Sequence, residues 1–101
     1  MYVAVCELTL HLPASASLKD KRQIVRSVLA RLRNQFEISA SEVDHQDTWQ
    51  LTTLGLAYAS GDAQHARDVI DNAVRYVEAS RPDLDITGDW TDVLTVGGEQ
   101  Y

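Results

Sequence analysis

The first stretch of the chain alternates between apolar and polar side chains. Between residues 2 and 12, small and aliphatic residues hold the even positions, whereas Glu7, Thr9 and His11 hold odd positions. A period of two over this length predicts a β-strand with one buried face. Val3 and Val5 make one end of its other face apolar.

Two later stretches have the period of an amphipathic helix. In residues 17–36 the apolar face consists of Ile24, Val25, Val28, Leu29, Leu32 and Phe36. In residues 63–80 it consists of Ala66, Val69, Ile70, Ala73, Val74 and Val77. Ser17 and Asp20 match a capping box at the start of the first helix. Pro82 ends the second, because proline cannot continue the hydrogen-bond ladder.

Three more strands are predicted at residues 36–44, 49–60 and 84–96, the last interrupted near Gly88. The short link between the first two of these requires an antiparallel hairpin. The resulting order predicts an α+β, ferredoxin-like βαββαβ fold, with a four-stranded antiparallel sheet and two helices on one face. We expect one domain over residues 1–101, with a frayed tail at 97–101.

The opposite face of this sheet is predicted to be uncovered. Its apolar end, at Val3 and Val5, is a candidate oligomer face through which the chain would form a homodimer. The alternative interpretation is ordinary apolar surface scattered over a monomer.

Charge is divided unequally along the chain. The stretch 17–36 holds six of the nine cationic residues and one acidic residue, Asp20. Its charge is therefore +5. Since the net charge of the chain is −6, the remaining residues together carry −11. Helical geometry gathers four of these cations within roughly 60° of one another. They are Lys19, Arg22, Arg26 and Arg33. This pattern indicates either a solvated helix face or a candidate nucleic-acid-binding face.

A second group of functional side chains surrounds the predicted hairpin. It consists of Glu42, Asp44, His45, Gln46, Asp47 and Trp49. We interpret it first as turn-forming, then as a contact epitope, and last as a site for acid–base chemistry by His45 with Asp44 or for a metal. We expect Trp49 and Trp90 to lie in the core or to cover the hairpin.

Several classes of function are excluded by missing motifs. The predicted third strand lacks the aromatic pattern of RNA-recognition sheets, and one cysteine rules out a C-x-x-C metal site. No phosphate loop or dinucleotide fingerprint is present. We therefore predict no catalytic residue, metal, cofactor or small-molecule ligand. We expect no signal peptide and no membrane span, and hence a cytoplasmic location.

The chain resembles the YlxP-like family, a bacterial domain of unknown function (503). The resemblance rests on residues 17–22 (SLKDKR), 31–34 (RLRN), 42–47 (EVDHQD), Trp49-Gln50 and residues 53–55 (TLG). It implies the ferredoxin-like fold and supplies no catalytic residue. The genes of this family often lie near those for translation initiation factor two and ribosome-binding factor A. The resemblance therefore implies a role in ribosome maturation or in the initiation of translation.

Three functions follow as expectations. The first is a non-enzymatic accessory protein that docks on structured RNA or the ribosome through the basic side of its first helix. The second is a homo-oligomeric or protein-binding scaffold that uses the open sheet face. The third is a small enzyme centred on Asp44 and His45.

Overall fold

The helices and strands follow the predicted order in a computed structural model, which describes residues 1–97 of the chain. The elements are β1 (Tyr2–His11), α1 (Leu18–Phe36), β2 (Ser39–Asp44), β3 (Leu51–Ser60), α2 (Ala63–Ser80) and β4 (Asp85–Thr95). The predicted frayed tail lies outside the described residues except for Gly97.

The four strands form one antiparallel sheet in the order β2-β3-β1-β4. The ferredoxin-like α+β prediction is confirmed. In the two central strands Glu7 of β1 pairs with Gly55 of β3, and on its other side Glu7 pairs with Trp90 of β4. The register between β1 and β4 shifts between Thr9, which pairs with Gly88, and Leu10, which pairs with Ile86. The sequence predicted an interruption near Gly88.

The core lies between α1, α2 and the face of the sheet that carries the even-numbered residues of β1. Its strand residues include Ala4, Cys6, Leu8, Leu10, Leu54 and Leu56, and its helix residues include Val25, Val28, Leu32, Ile70, Ala73 and Val77. The opposite face of the sheet has no helix in the described residues. One covered and one open face follow from the alternation of side chains along β1.

Polar side chains define where the helices begin. The Asp20 amide donates to Ser17 Oγ at 3.1 Å, as a capping box requires. The Asp20 carboxylate accepts from the Ala16 amide at 3.1 Å, one residue earlier than in the standard motif. In α2 the Asp62 carboxylate accepts from the amides of Gln64 and His65 at 2.9 and 3.1 Å. Neither helix of residues 1–97 combines the length and apolarity of a membrane-crossing segment.

Candidate functional site

Helix α1 turns its basic flank, defined as Lys19, Arg22, Arg26 and Arg33, towards solvent. All four side chains are exposed, because the apolar stripe on the other side of α1 is buried in the core. Within residues 1–97, no carboxylate pairs with Lys19, Arg22 or Arg26. These three charges therefore remain available to an external anion.

Arg33 differs from the other three members of the basic flank. Its guanidinium donates to the carbonyl oxygen of Ala40 in β2, through Nε at 3.0 Å and Nη2 at 2.5 Å. A neutral carbonyl leaves the positive charge of Arg33 uncompensated. The two bonds fix that charge beside the edge strand β2.

Lys21 is the most deeply buried charged residue described, with 1% of its surface exposed. Its ammonium lies 2.9 Å from Glu42 Oε2 and also donates to the carbonyl oxygen of His45. The same Glu42 oxygen accepts from Thr52 Oγ1 at 2.6 Å. A charge can be buried at acceptable cost only when it is paired and hydrogen-bonded in this way.

The sequence contained a signal for this buried lysine that charge counting alone missed. Lys21 precedes Val25, Val28, Leu29 and Leu32 by 4, 7, 8 and 11 residues, so it lies in the buried stripe of α1. A lysine at such a position needs an anion inside the fold. Glu42 is that anion, and its side chain is turned inwards rather than presented with the rest of the predicted epitope.

The turn between β2 and β3 is held by the same contacts. His45 has a left-handed backbone (φ 61°), and its amide donates to Asp44 Oδ1 at 2.7 Å. Its carbonyl oxygen accepts from the Thr48 amide at 3.1 Å and from the buried ammonium of Lys21. The turn is therefore anchored to α1 through Lys21.

Gln50 provides a second anchor for this end of the hairpin. Its side-chain amide donates to the carbonyl oxygens of Pro13 and Ser15, at 3.3 and 3.1 Å. Its own carbonyl oxygen accepts from the Leu12 amide at 2.9 Å. Residues 44–50 are thereby fixed against the loop that leads into α1, so the hairpin turn and the first residues of the basic flank share one end of the molecule.

The prediction that Trp49 lies in the core is wrong. Trp49 lies in the turn before β3 and 54% of its surface is exposed. The physical reason is that the turn extends to Gln50, so β3 begins at Leu51 instead of Trp49. Asp44, Gln46 and Asp47 are exposed beside it. These four side chains are the accessible part of the predicted contact epitope.

The groups with catalytic or metal-binding potential come together at most in His–Asp pairs in the part of the chain that the structure describes. His45 Nε2 is 3.9 Å from Asp44 Oδ2. Across residues 1–97, no three His, Cys, Asp or Glu side chains come together as metal ligands. Burial raises the pKa of the Cys6 thiol to about 11, opposed in part by a hydrogen bond with Thr91, so little reactive thiolate forms at neutral pH.

The open sheet face carries a shallow hollow of about 380 Å³. Val5, Gly55 and Ala57 form its floor, and Val43 and Trp90 stand at its sides. Trp90 is 56% exposed, so the prediction of a core position for it is also wrong. Neither Val3 nor Val5 is fully buried, and both lie on this face with Trp90.

In the described residues, Lys and Arg are absent from the strands, whereas carboxylates lie in both the helix layer and the sheet. Eight of the nine Lys and Arg residues lie in α1 or α2, and the ninth, Arg81, follows α2 directly. The strands contain no Lys or Arg and carry six carboxylates. A polyanion would thus be attracted to the helix layer and repelled by the sheet.

Comparisons with known proteins identify a family. A family model described as "Protein of unknown function (DUF503)" matches residues 3–88. The uncharacterized protein YlxP of Bacillus subtilis is 32% identical over 84 residues, which cover 83% of this chain and 88% of that protein.

Solved structures match at the level of the fold. A de novo designed protein with a ferredoxin fold has a TM-score of 0.58 at 15% identity, with 100% of this chain and 92% of that chain covered. Rv0793 from Mycobacterium tuberculosis has a TM-score of 0.50 at 17% identity, with both chains covered completely.

Proposed function

The chain belongs to the DUF503 family, and because the description of that family names no activity, we propose a function from the geometry. The protein is a non-enzymatic, cytoplasmic accessory protein that docks on structured RNA or on the ribosome. The basic flank of α1 is the main contact, and the exposed part of the hairpin epitope is the second.

The observation that carries this proposal is the separation of charge between the two layers. Lys19, Arg22 and Arg26 are exposed on one side of α1 and have no carboxylate partner in residues 1–97. Arginine forks bind phosphate with two parallel hydrogen bonds. Lys19 and Arg26 are about 10 Å apart along the helix axis, a length that meets two or three neighbouring phosphates.

The hairpin epitope adds a different kind of contact. Trp49 presents an exposed indole at the end of the molecule where α1 begins, and exposed aromatic rings stack on unpaired bases. The nearby carboxylates of Asp44 and Asp47 repel phosphate. Together they favour a folded RNA with unpaired bases over a uniform duplex.

The test is fluorescence anisotropy with two probes, a labelled stem-loop RNA and purified small ribosomal subunits. Arg22→Glu with Arg26→Glu is expected to weaken binding at least about 10-fold, because two phosphate contacts become repulsive. The matched control is Arg67→Glu with Arg75→Glu, which changes the net charge equally on α2, where both arginines are exposed. Equal loss in the two variants, or no loss in the first, would contradict docking through α1.

A second function, that of a protein-binding scaffold, is favoured by the open sheet face. Trp90, Leu94 and Val43 are 56%, 45% and 47% exposed there, which is unusual for large apolar side chains on one sheet. Val3→Asp places a charge on that face. Light scattering is expected to show a lower solution mass for any complex formed through it.

A further inference from the structure

We propose that the open sheet face binds the same face of a second copy of this chain and forms a two-fold dimer. The inference rests on the second function above, for which it names the partner. It is independent of RNA docking, because the basic flank lies in the helix layer on the other side of the sheet.

Small and larger side chains are divided between the strands in two rows of the open face. From β2 to β4, one row across the strands reads Ser41, Gly55, Glu7 and Trp90, and the next reads Ser39, Ala57, Val5 and Asp92. In these rows the residues of β2 and β3 are small and those of β1 and β4 are larger, and Val43 of β2 projects beside Gly55.

A two-fold axis that runs parallel to the strands, between two stacked faces, places β4 of one copy over β2 of the other. Trp90 of each copy then lies over Ser41 of the partner, and Glu7 lies over Gly55. In the next row, Val5 faces Ala57 and Asp92 faces the hydroxyl of Ser39. In these two rows each larger residue meets a small one, so this part of the face is complementary to itself.

Gly55, at the floor of the hollow, accommodates the side chain of Val43. A Cβ on Gly55 would lie 2.8 Å from Val43 Cγ1, so the absence of a side chain lets Val43 lean over β3. The space of about 380 Å³ beside it is large enough for the indole of a partner's Trp90. A nucleic acid is a poor occupant, because this face presents Glu7 and Asp92 and no cation.

The area of the face limits the size of the dimer interface. The strands contain 10, 6, 10 and 11 residues. At about 4.8 Å between strands and about 3.3 Å per residue, one face covers roughly 600 Å². Two faces bury about 1,200 Å², the lower end of the range for specific interfaces. We therefore expect a dissociation constant in the micromolar range.

The dimer carries a consequence for the first proposed function. Face-to-face stacking leaves both helix layers on the outside, so the two basic flanks point in opposite directions. Each dimer would then engage two separate anionic segments, and binding to an RNA that presents both would be strengthened by avidity.

Sedimentation velocity over about 1 to 500 µM tests the dimer. The wild type is expected to change from monomer to dimer across this range. Trp90→Ala removes the large side chain and is expected to weaken the dimer at least about 30-fold, as for a central aromatic at an interface. Ser41→Trp fills the hollow from an exposed position on the edge strand and is expected to weaken it similarly without disturbing the core.

Trp49→Ala is the matched control, because it removes an equally exposed tryptophan from the hairpin turn. It is expected to leave the dimer unchanged. A wild-type chain that remains monomeric at 500 µM would overturn the proposal. A dimer that survives both Trp90→Ala and Ser41→Trp would also overturn it, since another surface would then join the copies.

Cross-linking tests the orientation. Chains with Ser39→Cys and chains with Asp92→Cys are mixed and treated with a short bis-maleimide. The facing arrangement predicts cross-links between the two kinds of chain and few within either kind. The native Cys6 is buried and does not compete. Cross-links of Ser39→Cys chains with one another would overturn the two-fold axis described above.

The same variants separate this inference from RNA docking. A monomeric chain whose RNA binding still depends on Arg22 and Arg26 would overturn self-association alone. A dimer sensitive to Trp90→Ala but without affinity for the stem-loop RNA would overturn docking alone.

Discussion

Lys21 shows how one residue connects the helix layer to the hairpin. Its ammonium is enclosed by the Glu42 carboxylate and the His45 carbonyl oxygen, and Thr52 completes the hydrogen bonding of Glu42. The ion pair contributes little net stability, because desolvation offsets much of its Coulomb energy. It acts mainly by fixing the position of the groups around it. Its effect is to hold the turn at His45 in one place.

Removal of this ammonium should destabilise the fold. Lys21→Met leaves the Glu42 carboxylate without its cation, and breaking a buried pair costs about 3–5 kcal/mol. We expect a value near the lower limit, because the Glu42 side chain is 20% exposed. The free energy of unfolding in urea measures it.

Lys19→Met is the control, since it removes an exposed lysine from the same helix. We expect it to change the unfolding free energy by less than about 0.5 kcal/mol. Equal effects of the two substitutions would show that the contacts of Lys21 do not stabilise the hairpin.

Lys21 also marks the limit of sequence reasoning at this scale. The position in the apolar stripe predicts that Lys21 is buried, but no rule of spacing names Glu42, 21 residues away, as its partner. The pairing appears only when α1 packs beside the hairpin. For the same reason Arg33 was predicted as an open phosphate contact, whereas its guanidinium is bound to Ala40.

At the scale of elements, the sequence predicts the two helices well, because their apolar periodicity is strong. α1 and α2 have caps, apolar stripes and ends that agree with one another, so their positions were predicted within one residue. The hairpin was predicted less well. A turn that is held by contacts with Lys21, Pro13 and Ser15 depends on tertiary structure, and short-range signals placed Trp49 in the strand.

The cap of α1 provides a prediction for this scale. Ser17→Ala removes the hydroxyl that accepts from the Asp20 amide and should cost about 1 kcal/mol. A domain of this size should then melt about 4–8 °C lower. Thermal unfolding followed by circular dichroism measures the shift. Ser27→Ala, at an exposed position inside α1, should leave the melting temperature within about 1–2 °C of wild type or raise it.

For the molecule as a whole, the fold, the charge asymmetry and a candidate oligomer face at Val3 and Val5 were predicted, and the shape of that face was not. The alternation along β1 predicts an uncovered face, and Val3 and Val5 were recognised on it. The position of Trp90 beside the hollow over Gly55 depends on which residues pair across the four strands. That register is known only once the sheet is assembled.

We propose that the helix layer binds phosphate and that the sheet layer binds protein. The two layers have opposite charge because no strand contains a cation. A molecule built in this way can present its basic flank to RNA while its sheet is covered. This division predicts that mutations in the helix layer leave dimer formation intact, and that mutations in the sheet layer leave the binding of one anionic segment intact and remove only the avidity.

The salt dependence of RNA affinity is the sharpest test of RNA docking through the basic flank of α1. Each phosphate neutralised contributes about 0.7–0.9 to the slope of log affinity against log salt. With Lys19, Arg22 and Arg26 in contact, we expect a slope of about −2 to −3 for the stem-loop RNA at constant pH. Arg22→Gln with Arg26→Gln should reduce the magnitude of that slope by about 1.5. A slope near zero, or one that this double substitution leaves unchanged, would contradict docking through the basic flank.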